Sequence, residues 1–291
     1  MRVFITGASG FIGTAVVREL IAAGHKVLGL ARSEASAASL VAAGAEAHPG
    51  SLEDLDSLRR GADATDAVIH TAFIHDFSKF EANCETDRRA IEAIGEVLVG
   101  SHRPLIVTSG TAVAHAPGHL TTEADAPSST IPRVASELAA AALHAQGVHV
   151  SVMRLPQVHN PVKQGLISYL IDLAREKGVS AYVGDGMNRW PAVHRDDAAH
   201  VYRLALEKGS SGARYHAVAE EGVPLRDIAE VIGQRLNLPV VSKTPEDAAD
   251  HFGWLAHFAA FDLPASGQLT QRELGWKPRG PGLMSDLRQL V

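Results

Sequence analysis

With 291 residues, 46% hydrophobic and 21% charged, the chain can build one large or two modest globular domains and is neither disordered nor fibrous. A formal charge of -6 offers no field for nucleic acid or anionic lipid, and no apolar run nears the roughly 18 residues of a membrane span, so a small-molecule partner is expected. Met1 leads straight into an apolar strand with no room for a leader, and the single cysteine, Cys84, excludes an intrachain disulfide. Both features predict a cytoplasmic protein, and Cys84, with no activating motif around it, reads as an ordinary helix residue.

Val3, Phe4 and Ile5 form a first strand that breaks into Thr6-Gly7-Ala8-Ser9-Gly10-Phe11-Ile12-Gly13 and continues as a helix over Thr14 to Ala23. Gly7 suits a sharp strand exit, Gly10 keeps a side chain away from an approaching pyrophosphate, and Gly13 permits close packing of helix on strand. The open amides at the helix start favour a negative ligand. This spacing resembles the T-G-x-x-G-x-x-G fingerprint of the extended short-chain dehydrogenase/reductases, also called NAD(P)-dependent epimerase/dehydratases. Later segments extend the resemblance over nearly the whole chain.

A second strand, Lys26 to Ala31, ends in Ala31-Arg32-Ser33 where a carboxylate would bind the ribose of NAD. Arg32 and Ser33 instead suit the 2'-phosphate of NADP, so NADP(H) is expected over NAD(H). A helix over Ser36 to Gly44, a short strand at Ala45 to His48 and a helix through Leu55 and Leu58 follow. The loop between the last two resembles the family's Gly-Asp-Leu beside the adenine, with Ser51 in place of the aspartate and Leu52 after it. Asp66 to Ala72 is a fourth strand that resembles the family's strand beneath the cofactor ribose, which implies cofactor contacts from Ala72 and Phe73, and His75 follows at its carboxyl end, where open parallel sheets bind ligands. An amphipathic helix spans Phe80 to Gly100, and Leu105 to Thr108 is the fifth strand. The pattern predicts an α/β fold with a doubly wound parallel sheet, a Rossmann domain, and a smaller C-terminal α/β substrate region.

The resemblance implies that Ser109 or Thr111, after the fifth strand, works with a Tyr-x-x-x-Lys on the next helix. Here Arg133 and Glu137 take the Tyr and Lys positions, and all four tyrosines lie later in the chain. The protein therefore resembles atypical members that keep the nucleotide fingerprint and lose the catalytic pair. Arginine cannot replace tyrosine as a proton donor, but it can bind a carboxylate or polarise a carbonyl. Among fifteen histidines, His75, His115, His159 and His194 fall in segments expected at the cleft. Ser109, Thr111, Arg133 and His159 are the candidate catalytic residues, and no His or Cys spacing suggests a metal.

Val148 to Leu155 is a sixth strand, and Leu155 to Pro161 resembles the family segment that passes the nicotinamide, with Gln157 for the usual Asn and His159 for the usual Tyr. The stretch from Ala181 to Asp197 resembles the glycine turn, arginine and Val-His-x-Asp-Asp that lead into a helix, with His194 and Asp197 expected to fix the junction between the two regions. Arg189 and Trp190 join His75, His115 and Gln157 as substrate-pocket candidates. Helices at Leu166 to Lys177 and Leu225 to Leu236 and a strand at Leu238 to Val241 follow. The closing Gln268 to Pro278 resembles the family's Arg-x-x-Leu-Gly-Trp-x-Pro, with Trp276 expected in the core. Aromatic-rich Ala249 to Phe261 either walls the pocket or packs on the small region, and the Pro-, Ser- and Thr-rich Ala114 to Pro132 is a candidate lid.

The division expected is residues 1–155 for dinucleotide binding, with 190–208 packing back onto it, and 156–189 with 209–291 for substrate. Thr108 and Leu155 at the strand ends complete the predicted cofactor surface. The leading expectation is an NADP(H)-dependent oxidoreductase acting on a small carbonyl or alcohol. A non-catalytic NADP-binding sensor or regulator, and a nucleotide-retaining epimerase or dehydratase, are the alternatives. The resemblance also implies a homodimer through the helices at Phe80 to Gly100 and Val134 to Gln146.

Overall fold

A computed structural model describes residues 1–128 and 131–290. Its first half alternates strand and helix: β1 (Arg2–Thr6), α1 (Gly13–Ala22), β2 (Lys26–Ala31), α2 (Glu34–Ala42), β3 (Glu46–Pro49), α3 (Leu55–Asp63), β4 (Ala67–His70), α4 (Phe80–Glu96), β5 (Leu105–Gly110), α5 (Ala135–Ala145) and β6 (Val150–Leu155). These strands read as unbroken apolar runs because a parallel sheet is covered on both faces. Val3, Phe4, Ile5, Val68, Ile69, Leu105 and Val107 are all inaccessible to solvent. Val16, Val17 and Leu20 of α1 pack on one face of the sheet, and Leu58 of α3, Ile91 and Ile94 of α4 and Leu143 of α5 on the other.

The rest of the chain runs β7 (Gln157–His159), α6 (Ile167–Lys177), β8 (Ser180–Val183), β9 (Arg189–His194), α7 (Arg195–Lys208), β10 (Arg214–His216), β11 (Glu220–Pro224), α8 (Leu225–Leu236), β12 (Val240–Lys243), α9 (Pro245–Phe252), α10 (Ala256–Ala259), α11 (Gln268–Leu274) and α12 (Leu283–Leu287). The main sheet has the order β10-β6-β5-β4-β1-β2-β3, every pair parallel. Strand order reverses between β1 and β4, the switch point where open parallel sheets bind ligands. The smaller region holds a three-stranded sheet, β11-β9-β7, and a two-stranded one, β12-β8. Ile167, Ile171, Trp190, Ile228, Phe252 and Leu283 form its core.

Three sequence expectations change here. Residues 209–291 do not all leave the first region, since β10 pairs with β6 and supplies the seventh strand of the main sheet. The helix expected to Gly100 ends at Glu96, and the strand expected at Leu238 to Val241 forms instead at Val240–Lys243, in register with β8. The candidate lid is stitched down within its described part. Thr121 bonds through its backbone to Pro264 and Ser266, and Glu123 accepts from the backbone N–H and hydroxyl of Thr270. Ser129 and Thr130 of that stretch lie outside the described residues. α7 packs beside α1, and Trp276 is buried in the same core.

Candidate active site

At the switch point the backbone of the glycine loop is pressed against β4 and α1. Gly7 has φ +69°, and a Cβ there would sit 2.8 Å from the Ala72 backbone; one on Gly13 would sit 2.0 Å from the Gly7 carbonyl oxygen. Neither position accepts a larger residue without displacement. Gly10 N–H closes the turn on Gly7 O at 2.8 Å. The α1 terminus carries neither a side-chain cap nor an acidic residue in its first turn, which leaves a positive end facing the loop. Ser9 and Gly10 are exposed beside it, and the cations of Arg195 and Lys163 lie 5.2 and 5.8 Å from the Phe11 ring centre. No sequence motif pointed to these last two cations, which arrive from the second half of the chain.

Arg32 is exposed at the end of β2 and makes no hydrogen bond or ion pair with any described residue. Ser33 caps α2, its hydroxyl accepting from Ser36 N–H at 3.2 Å. Ser51 Oγ accepts from Glu53 N–H at 3.3 Å, while Leu52 is buried in the core beneath the loop. These features fit a dinucleotide: a loop whose three glycines leave its backbone open, an uncapped helix end, and an uncommitted guanidinium one strand away.

Next to this loop, a buried polar chain runs under the carboxyl ends of the central strands. Thr6 Oγ1 lies 2.8 Å from His70 Nδ1, and His70 Nε2 lies 3.0 Å from Asp87 Oδ1. A carboxylate only accepts, so His70 donates to Asp87 through Nε2 and faces the Thr6 hydroxyl with Nδ1. Asp87 Oδ2 accepts from Arg133 Nη1 and from Ser136 Oγ, both at 2.6 Å, and Arg133 Nη1 also contacts Ser136 Oγ. Burial opposes ionisation of Asp87, but Arg133, His70 and Ser136 outweigh it and hold the carboxyl well below the usual range. Arg133 Nη2 donates to Thr108 O at 2.9 Å, and its guanidinium carbon stands 4.2 Å from the centre of the Phe73 ring. The arginine is therefore locked in place at the mouth of β4 and β5. Thr108 Oγ1 continues the chain to Tyr202 Oη at 2.6 Å, where burial pushes the phenol up. Among the described residues Ser109 Oγ is buried with no hydrogen-bond partner, and Thr111 is buried on the turn that follows β5. Such an orphaned hydroxyl costs free energy unless a ligand pairs with it.

One turn along α5 from Arg133, Glu137 holds Arg154 bidentately at 2.8 Å on both arms, both side chains almost fully buried. Arg154 also donates to Asp125 O, and its Nη1 lies 3.3 Å from His216 Nε2. His216 Nδ1 is 2.8 Å from Ser266 O, so its proton sits on Nδ1 and Nε2 accepts. Burial, with the Arg154 charge, lowers His216 to about 4.

A cavity of about 210 Å³ opens beside this mouth, lined by Phe77, Phe80, Ala112, Ile131, Pro132, Trp254, His257, Phe258 and Phe261. The Ala249 to Phe261 stretch thus serves both expectations: Phe252, Leu255 and Ala259 face the small core, while Trp254, His257, Phe258 and Phe261 face the cavity. His115 packs near Phe261, ring centres 5.7 Å apart, with its Nδ1 buried and unpartnered. Burial holds the His115 imidazole below its ordinary value.

Other candidates lie elsewhere. Trp190 is wholly buried in the small core, and Arg189 is held by Asp262 through bonds of 3.0 and 2.8 Å. Gln157 spends its amide oxygen on Leu166 N–H. His159 is inaccessible, its Nδ1 2.7 Å from Asp286 Oδ2, and burial lowers its basicity against the pull of that carboxylate. The packing of the smaller region turns Trp190 and His159 inward, while Arg189 stays exposed and is held by Asp262. His194 caps α7, and Asp197 takes the backbone N–H groups of Arg279 and Gly280, which ties the C-terminal segment to the main domain. His75 stays at the mouth, its ring edge-on to Phe73 and Phe77. Leu155 ends β6 beside the same cleft. Cys84 is buried and its thiol is pushed up to about 11, which suits no nucleophile. Among the described residues no three His, Cys, Asp or Glu side chains gather as metal ligands, and no helix is long and apolar enough to cross a membrane.

Residues 3–219 match the model of the NAD dependent epimerase/dehydratase family. An uncharacterized protein of Schizosaccharomyces pombe is 53% identical over 99% of this chain and 98% of its own, and one of Saccharomyces cerevisiae is 46% identical over 99% and 98%. A sterol-4-alpha-carboxylate 3-dehydrogenase (decarboxylating) of Dictyostelium discoideum is 28% identical over 77% of this chain and 73% of its own. Among solved structures, a dTDP-glucose 4,6-dehydratase of Streptomyces venezuelae with bound NAD superposes with a TM-score of 0.79 at 23% identity, covering 99% of this chain and 96% of that one. A UDP-glucose 4-epimerase of Thermotoga maritima with UDP-glucose gives 0.77 at 20% identity, covering 99% and 97%. At these identities the two structures speak for the fold.

Proposed function

The chain belongs to the NAD dependent epimerase/dehydratase family, and from that premise we propose that it is an NADP(H)-dependent oxidoreductase acting on a small carbonyl or alcohol. The observation that carries this reading is the mouth of β4 and β5, where the Ser109 hydroxyl is buried without a partner among the described residues and Arg133 is anchored on Asp87 and on the carbonyl of the neighbouring Thr108. Bound on that loop, a nicotinamide nucleotide supplies or takes the hydride. Thr6 to Gly13, Lys163 and Arg195 would hold its phosphates, and Arg32 a 2'-phosphate.

Ser109 and Thr111 hydrogen-bond the substrate oxygen, and the Arg133 charge, fixed by Asp87 and Thr108 O, stabilises negative charge that develops there. A guanidinium is not a proton donor in catalysis, so Arg133 binds the oxygen without delivering a proton to it. His115, neutral near pH 7 through burial, is the group suited to accept a proton when an alcohol is oxidised. Replacing Ser109 and Thr111 together by alanine should lower kcat/KM for a carbonyl by about 10²-fold or more, with nucleotide affinity unchanged. Unchanged rates would move the chemistry elsewhere in the cleft.

Arg133 and Glu137 at the Tyr and Lys positions favour a second reading, a non-catalytic NADP(H) sensor or regulator. It requires tight nucleotide binding with no oxidation of NADPH by any carbonyl. A nucleotide-retaining epimerase or dehydratase is compatible with the family and requires product formation with no net change in nicotinamide absorbance. We also place the protein in the cytoplasm, as a homodimer through the outer faces of α4 and α5, where Leu138 is 56% exposed. Sedimentation of Leu138→Asp as a monomer against a dimeric parent would support that pairing, and a monomeric parent would end it.

A further inference from the structure

We propose that the cavity beside Ser109 takes the ring system of a planar, uncharged aromatic carbonyl compound of one or two rings. The fate of the carbonyl rests on the oxidoreductase reading, whereas the ring site stands on its own geometry. Its aromatic lining comes from two distant segments: Phe77 just before α4 and Phe80 at its start, and Trp254, His257, Phe258 and Phe261 in and around α10. Phe77 and Trp254 stack with ring centres 4.3 Å apart and planes within 9°, and Tyr169 meets Trp254 edge-on at 5.1 Å. His257 meets Phe261 at 4.1 Å and 68°. Rings in both orientations offer faces and edges to a further ring, the arrangements that aromatic pairs prefer.

Size and charge narrow the occupant. A cavity of about 150 Å³ holds benzene, and this one measures about 210 Å³, room for one ring or a fused pair with a short substituent. No Arg or Lys lines it. Lys79, between Phe77 and Phe80, is exposed and does not line the cavity, and Arg189 is held by Asp262. A nucleoside diphosphate sugar would find no counter-charge in this lining. The lining residue Ala112 directly follows Thr111, and Pro132 directly precedes Arg133. A ring seated in the cavity therefore presents its carbonyl toward Ser109 and Arg133.

The protein carries three tryptophans, of which Trp190 and Trp276 are buried in cores and Trp254 is 44% exposed at the cavity. Titration of the full chain with 2-naphthaldehyde should quench tryptophan fluorescence saturably, whereas hexanal and UDP-glucose at equal concentration should not. Ala112→Leu, which narrows the cavity and leaves Trp254 in place, should weaken that binding at least tenfold. NADPH oxidation is followed in parallel. Saturable quenching without oxidation supports the ring site and removes the oxidoreductase reading. Oxidation with hexanal at a kcat/KM equal to that with 2-naphthaldehyde keeps the oxidoreductase and overturns the ring site, as does quenching by UDP-glucose or no quenching by the aldehyde. If Ala112→Leu fails to fold, the comparison of 2-naphthaldehyde with hexanal on the parent protein decides alone.

Discussion

Two ion pairs about one helical turn apart, Arg133 just before α5 and Glu137 within it, do different work. Arg133 reaches toward the cleft and is gripped by Asp87, with its outer face over Phe73; Glu137 reaches into the interior and closes on Arg154. They occupy the positions where the family's tyrosine and lysine are expected. The first pair leaves a fixed positive charge at the mouth of the central strands, and the second is sealed and serves the joint between β6, α5 and the segment that follows β10. An arginine held by a buried carboxylate is a charge in a defined place; a carboxylate fully consumed by an arginine is a strut.

The largest expected effect breaks the strut. Glu137→Ala leaves the wholly buried Arg154 uncompensated and should cost about 3–5 kcal/mol of folding stability, read as a shifted denaturation midpoint. A shift near zero would show that Arg154 is not desolvated. The next effect is a pH dependence in the same network. His216 is held at about 4 by burial and the Arg154 charge, against about 6.5 in the unfolded chain. The unfolded state therefore binds its proton first as pH falls, so stability is fully present above about 6.5 and declines between that value and about 4, by up to about 3 kcal/mol. His216→Asn should flatten that part of the stability profile, and an unchanged slope would assign it to other groups. The smallest effect lies outside both pairs. Arg32→Asp should shift preference from NADP toward NAD by at least tenfold, about 1.4 kcal/mol, and an unmoved ratio of binding constants would remove Arg32 from the phosphate site.

Much of the nucleotide half was legible because local sequence dictates it. The glycines of the first turn are required where a Cβ would meet backbone at 2.0 to 2.8 Å, and the apolar strands read as strands because both sheet faces are covered. Asp87 and His70 were not legible, since one sits in a helix rich in charges and the other in an apolar strand, and only the crossing of β4, α4 and α5 brings them to Arg133. Trp190, Arg189 and His159 show the opposite failure. Their types suit a pocket, yet the smaller region packs the tryptophan and the histidine inside and gives the arginine to Asp262. The aromatic richness of Ala249 to Phe261 was visible, but apolar lining and apolar core look alike until the partner elements are known. β10 escaped because three residues carry no period, and its place in the main sheet is set by contacts with β6.

The central claim is that the charge anchored by Asp87 stabilises the oxygen of a substrate at the mouth of β4 and β5. The most direct measurement is the steady-state rate of NADPH oxidation by the parent protein and by Arg133→Met with the same aromatic aldehyde, with NADPH affinity measured alongside. The account predicts turnover by the parent, a loss of kcat/KM of about 10²-fold or more in the variant, and NADPH affinity within a factor of about three. Equal turnover by the two proteins would contradict it.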